Sequence, residues 1–338
     1  MRKFSFLIIC IFFITGAFGQ QKPHYTQYLI NQYIINPAIT GIENYTDIRL
    51  SHRLQWSGLT DAPVTSYFTF HTPINKSDFR TSATSFEPRT SNPRGIEYWD
   101  KYSAPEPHHG LGIQILNDRT GPINRFSAYA TYAYHTPLSV STSLSVGFGA
   151  GITNTSLNAD KLEFAQGSVD PAVYGSGKLN SLTPDANVGL YLYSRNHFIG
   201  VAVQQVIPQK VEFADGIVRT VNGKQVPHFF LHGGYRISAG PDFNVTPSFM
   251  VKTIGSVEPQ FDLNLKVQYL DVFWLGTGLR IKEGFSGLAG FNIAKTVNLS
   301  YSYDFTSTPL NNFSKGSHEI ILGFVIGKYG DTCPRNIW

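Results

Sequence analysis

The sequence predicts an all-β chain, a transmembrane antiparallel β-barrel of about fourteen strands whose lumen is partly plugged. Three observations predict it. Apolar and polar residues alternate with period two along most of the chain, the connections sort into short and long classes, and the composition favours strands and turns. Gly (31), Phe (25) and Tyr (18) far outnumber Met (2) and Cys (2), and charged residues make up only 15%. Soluble domains carry roughly 25% charge.

The first element is residues 1–19, MRKFSFLIICIFFITGAFG: a basic start at Arg2 and Lys3, an apolar stretch from Phe4, and small residues Ala17 and Gly19 placed like a cleavage site. That pattern is a signal peptide, with an apolar part too short for a comfortable membrane span. A lipoprotein reading through Cys10 is disfavoured by bulky Ile9 before it. After cleavage Cys333 is the sole cysteine, so no intramolecular disulfide forms. Loss of Arg2 and Lys3 lowers the formal charge from +4 to +2, and no block of Lys or Arg supplies a local field for a nucleic-acid partner.

Residues 20–44 contain PHYTQYLINQYIINPAITG, rich in aromatics, Asn and Gln without a run of charge. Two readings stand: an exposed leader, or a plug in which Tyr25, Tyr28, Tyr33, Ile34 and Ile35 pack inside the lumen or across its periplasmic mouth. In the second, Gln27, Asn31 and Asn36 satisfy polar groups of the wall. Pro37 stops a helix or strand from continuing through the segment, and a bare apolar leader is a liability in the periplasm.

The barrel is expected over 45–327. In QFDLNLKVQY (260–269) and VNLSYSYDF (297–305), large apolar residues occupy every second position and polar ones the positions between, and in IRLSHRLQW (48–56) the same holds with His52 as the one polar member of the face of Ile48, Leu50, Leu54 and Trp56. Burial of a single face explains this. The predicted strands are 45–56, 65–73, 110–117, 124–136, 139–152, 186–194, 197–206, 228–238, 243–254, 259–270, 273–282, 284–294, 297–305 and 317–327. If the chain starts in the periplasm, the short turns near 135–139, 194–196, 238–242 and 270–271 fall there, and the long connections 153–185, 207–227 and 306–316 face outward. A soluble sandwich of this strand count would be unusually large, and no blade repeat supports a propeller. A lipid partner follows, since in hydrocarbon only helices or closed barrels satisfy the backbone, and no segment after residue 19 reads as a helix span.

Several segments carry interaction chemistry. The insertion 75–108, periplasmic by strand count, holds Tyr98, Trp99 and Tyr102, which suit either a docking surface or a linker. In the outward connections Phe164, Val173 and Tyr174, then Phe213, Ile217 and Val221, are candidate anchors for a secreted partner, with ordinary loop packing the alternative. Glu319 lies on a strand whose Ile320, Leu322, Phe324 and Ile326 suit lipid. It therefore points inward, towards Arg49 or Arg53 on the first strand, as a lumen ion pair. Residues 328–338 form a periplasmic tail.

Enzyme chemistry is not supported, and no cofactor or metal is expected. His108 and His109 lack a third ligand at usable spacing, and HGG (232–234) stands without a nucleophile elbow. No phosphate-binding loop, Cys cluster or calcium loop is present.

The opening segment, together with RLQWSGLTDAPVTSYFTFHTP (53–73), resembles the PorP/SprF family of Bacteroidetes outer-membrane proteins. The likeness rests on Tyr25–Tyr28, Asn36–Ala38 with Gly41, Arg53–Trp56, and Ala62 with Pro63. It continues through HGLGIQILND (109–118), Gly121, YDF (303–305) and GSHEIILGF (316–324) to the terminal CPRNIW. The chain departs from the family pattern in the insertion 75–108 and at Gln32, where a small turn residue is expected. The resemblance implies an outer-membrane location and a role in type IX secretion. As partners it implies either a secreted adhesin carrying a C-terminal sorting domain, or translocon, ring and lipoprotein subunits of the core machine. A diffusion porin or uptake channel is the alternative from another class.

Overall fold

The computed structural model describes residues 24–76, 103–158, 161, 178–207, 210–215, 218–224, 226–240, 242–255, 257–270, 272–294 and 296–327. The wall consists of β1 (Thr46–Leu54), β2 (Val64–Ile74), β3 (His108–Thr120), β4 (Ile123–Pro137), β5 (Thr142–Asn158), β6 (Lys178–Ser194) and β7 (His197–Gln204). It continues with β10 (His228–Tyr235), β11 (Ile237–Ser238), β12 (Phe243–Ile254), β13 (Gln260–Tyr269), β14 (Phe273–Arg280), β15 (Gly284–Ala294), β16 (Val297–Thr306) and β17 (Ser317–Ile326). A separate two-stranded hairpin, β8 (Lys210–Asp215) and β9 (Val218–Lys224), stands between β7 and β10.

Every neighbouring pair is antiparallel, and β1 pairs with β17 while β10 pairs with β12, so the sheet closes on itself. β10 and β11 are two pieces of one wall strand, interrupted at Arg236, which gives a closed barrel of fourteen strands. Closure removes the unpaired edges that an open sheet would present to lipid.

The two faces of the wall are inverted relative to a soluble core. Leu50, Ile113, Phe148, Leu190 and Leu263 point outward and are exposed, whereas Arg53, Gln114, Ser145, Asn187 and Asp262 point inward and are buried. Apolar outside and polar inside is the arrangement a lipid bilayer selects. At the end carrying the short turns, Phe243, Tyr269, Phe273 and Phe291 form a cross-strand aromatic row, with ring centroids 4.9, 5.4 and 6.4 Å apart in succession. Such girdles sit at the membrane interface, where amphipathic and aromatic rings meet headgroups.

The long-loop end departs from the sequence expectation at two places. The connection expected over 153–185 is partly wall: β5 extends to Asn158, β6 begins at Lys178, and the two pair along that whole length. The connection expected over 207–227 contains the β8–β9 hairpin, in which Asp215 pairs with Val218.

Candidate functional site

The inward face of the wall meets the N-terminal segment. Tyr28, Tyr33, Ile34, Ile35 and Tyr25 are no more than 5% exposed, and the segment's amides are buried with them. Burying an Ile fully contributes about 1.5–3 kcal/mol, but the polar side chains require partners to be tolerated.

Those partners come from strands all round the ring. Gln27 Nε2 donates to the Glu319 carbonyl (3.0 Å), Asn31 Nδ2 to Thr69 Oγ1 (3.0 Å) and Asn36 Nδ2 to the Leu190 carbonyl (3.1 Å). In return Gln114 Nε2 donates to the Tyr33 carbonyl (2.6 Å), and Gln204 Nε2 reaches the carbonyls of Ile34 and Ile35 (2.9 and 3.0 Å). Asn264 Nδ2 donates to the Tyr28 hydroxyl (2.9 Å).

Asn36 and Pro37 set the local geometry. Asn36 caps the 3-10 turn Pro37–Ile39 by accepting from the Ala38 amide (2.9 Å), and Pro37 supplies the fixed φ that a first helical position favours. That turn presses against the wall where β5 carries no side chain. A Cβ at Gly147 would collide with the backbone of Ala38 and Pro37, and one at Gly110 with the Thr40 carbonyl. Gly147→Ala is therefore expected to destabilise the folded barrel by about 1–3 kcal/mol, the usual penalty for overpacking. The check is the urea midpoint in detergent; an unchanged midpoint would show that the turn moves freely.

The segment has a direction. His24 and Thr26 lie with Trp56, Glu283 and Thr308 at the long-loop end. Further along, His135 Nε2 donates to the Thr40 carbonyl (2.8 Å) and Lys76 Nζ to the Ile42 carbonyl (2.8 Å), both near the short-turn end where β1 begins.

At the β1–β17 seam, register places Arg53 opposite Glu319. Arg53 Nη1 lies 3.1 Å from Glu319 Oε2, and Nη2 lies 2.5 Å from Asp304 Oδ2 on β16. Thr26 joins both acids: its amide donates to Glu319 Oε2 (3.1 Å) and its hydroxyl to Asp304 Oδ2 (2.6 Å). Charge-assisted bonds of this kind are stronger than neutral ones. Arg49 takes a different acid from the one expected, because register sets it opposite Gly323. It binds Asp47 through both Nε (2.8 Å) and Nη2 (2.6 Å) and also donates to the Ile30 carbonyl.

Above Thr26 the long-loop mouth holds a cavity of about 310 Å³, lined by residues of β1 and β13–β17 and of the connections between them. Arg280 Nε is 3.1 Å from Asp262 Oδ1 and 3.7 Å from Glu283 Oε2 at its rim. Burial pushes the Glu283 carboxyl above its ordinary value, against the pull of Arg280.

Phe164, Val173, Tyr174 and Ile217, like Tyr98, Trp99 and Tyr102, lie outside the described residues. Phe213 and Val221 fall on β8 and β9, in the hairpin beyond the wall. Sequence reasoning missed Asp304 and Thr26, the other half of the Arg53 network, and Asp304 was signalled only by its place on an inward face of VNLSYSYDF.

Among solved structures, the chain is similar to the monoaromatic hydrocarbon channel CymD (10% identity, 88% of this chain and 91% of that one, TM-score 0.49). It is also similar to the toluene transporter TbuX of Ralstonia pickettii (10%, 88% and 93%, 0.47) and to the outer membrane protein Omp33 of Acinetobacter baumannii (6%, 85% and 100%, 0.43). No curated protein matches the chain. The family described as type IX secretion system membrane protein PorP/SprF matches residues 17–324. With nearly the whole barrel inside that match, and the wall apolar outside and polar inside, the chain belongs to the PorP/SprF family and is an outer-membrane β-barrel of the type IX secretion system.

Proposed function

We propose that this barrel is a non-enzymatic surface anchor. Its long-loop end faces outward and captures the C-terminal sorting domain of a secreted adhesin once the translocon releases it, while residues 24–45 plug the lumen. The observation that carries the reading is the near-complete burial of Tyr28, Tyr33 and Ile35 against inward-facing strand residues. A lumen filled in this way suits holding better than conducting, and long loops on a rigid scaffold are where binding usually resides. Membership of a secretion-system family supports the setting.

A mild-detergent pulldown of the tagged protein from its native membrane tests this, with partners identified by mass spectrometry. One large secreted protein is expected, held through its C-terminal region and lost when the β5–β6 connection is shortened. Recovery instead of ring and lipoprotein subunits, lost on deleting 77–102, would overturn the anchor reading in favour of a core-machine component.

A further inference from the structure

Three buried imidazoles meet where the N-terminal segment leaves the lumen for β1. His71 on β2, His108 on β3 and His135 on β4 lie at the short-turn end, and register sets His108 opposite His135. Two of them grip the segment at adjoining residues. The Gly41 amide donates to His71 Nδ1 (3.2 Å), and His135 Nε2 donates to the Thr40 carbonyl (2.8 Å). The rings of His108 and His135 lie parallel, with centroids 4.5 Å apart.

These contacts are made by neutral rings. A nitrogen that accepts from an amide carries no proton, whereas an imidazolium has N–H at both positions, so His71 cannot be charged and still hold Gly41. Two imidazolium rings stacked at that separation would set like charges in contact, so His108 and His135 cannot both be charged. His135 by itself is more tolerant, because its Nδ1 lies 3.1 Å from the Tyr193 hydroxyl, which can donate or accept. The decisive ring is His71.

The surroundings offer an added charge little compensation. The ions that reach His71 are Asp47 and Arg49, and both Asp47 oxygens already accept from Arg49, at 2.8 and 2.6 Å. The groups that reach His135 are His108, Lys76 and His71, and Lys76 Nζ donates to the Ile42 carbonyl (2.8 Å). His108 Nδ1 donates to the Glu106 carbonyl (2.8 Å), and the Tyr33 ring packs edge-on against His71 at 4.7 Å. A cavity of about 20 Å³, whose lining includes Glu43, Tyr45, Asp47, Arg49 and His71, leaves room for one water beside that ring.

We propose that His71, supported by the His108–His135 stack, is an acid-released latch on the N-terminal segment. At neutral pH it clamps residues 40–42 to the wall at the short-turn mouth, and as pH falls through the histidine range it lets them go. The released rings bind protons that the clamped rings cannot, so acid favours release. Release is confined to the mouth, since the bonds from Gln114 and Gln204 to residues 33–35 involve no histidine. The latch goes beyond surface anchoring and stands whether or not an adhesin is captured.

The test is amide hydrogen exchange, read by mass spectrometry on the purified full-length barrel in neutral detergent. Rates at about pH 7.5 and about pH 5, either side of the ordinary histidine value of about 6.5, are corrected for the intrinsic pH dependence of exchange. Protection of the peptide spanning 38–44 is expected to fall by about tenfold or more in acid, the loss of one hydrogen bond, while peptides of the β3–β4 ladder keep theirs. His71→Asn places a carboxamide oxygen where Nδ1 accepts and removes the titrating ring, and is expected to abolish most of the acid response. His135→Gln keeps a donor for Thr40 and leaves His108 without a stacked partner, and is expected to reduce the response several-fold. Each variant is first checked for the compact form on semi-native gels at neutral pH. Equal protection of 38–44 at both pH values, loss of ladder protection in step with it, or a wild-type acid response in either folded variant would overturn the proposal.

Discussion

Arg53→Met is expected to destabilise the closed ring by about 3–5 kcal/mol, the range for removing one partner of a buried ion pair. Arg53 is 3% exposed and is the cation shared by Asp304 and Glu319. Methionine keeps most of the volume but leaves two buried carboxylates facing one another across the seam strands. Thr26 then serves both acids through its amide and its hydroxyl, and Ser51 Oγ reaches only Glu319 Oε1, at 3.5 Å. The temperature at which the compact barrel converts to the slower-running unfolded form on semi-native gels should fall sharply. Adding Glu319→Gln to the same chain should recover part of the loss, since one uncompensated charge disappears. An unchanged conversion temperature for Arg53→Met would mean that the seam is held by its backbone ladder alone.

Deleting residues 25–42 is expected to change the barrel from electrically silent to conducting. The wall left behind is polar on its inner face, through Gln114, Thr131 and Gln204, all bonded to the segment at present. Water would replace the lost partners, because each group can be solvated once the segment is gone. The strand ladders do not depend on the segment, so the ring itself is expected to persist at reduced stability. Planar-bilayer recordings should show a stable conductance for the deletion and none for the full chain. Equal conductance in both would show that residues 24–45 do not close the passage.

The barrel was legible because lipid and lumen differ in polarity, so residues such as Leu263 and Asp262 announce opposite faces. Legibility ended where that contrast ended. On β5 the outward positions after Ile152 are Asn154 and Ser156, and on β6 the outward position Pro184 is one that sequence reasoning reads as a strand breaker. The ladder nevertheless continues, Ile152 opposite Pro184 and Asn154 opposite Leu182. The pair Arg53–Glu319 was accessible because first and last strands of a barrel meet. Asp304 needed the β16–β17 register, in which Ser302 faces Glu319 and Asp304 faces Ser317. The path of residues 24–45 has no period at all, being fixed by individual bonds and by the room that Gly110 and Gly147 leave.

The partners along that path decide when it is fully held. The segment runs from the long-loop mouth to the short-turn mouth and passes straight into β1, which then forms part of the ring around it. Among the described residues the thread joins the wall covalently only at β1, so a ring closed first could still take it in through the short-turn mouth. The last strand made, β17, supplies through Glu319 the acceptors for Thr26 and Gln27 near the other end of the chain. The bonds that seat the start of the thread are thus complete only once the final strand of the wall is in place, so the two far ends of the chain finish together.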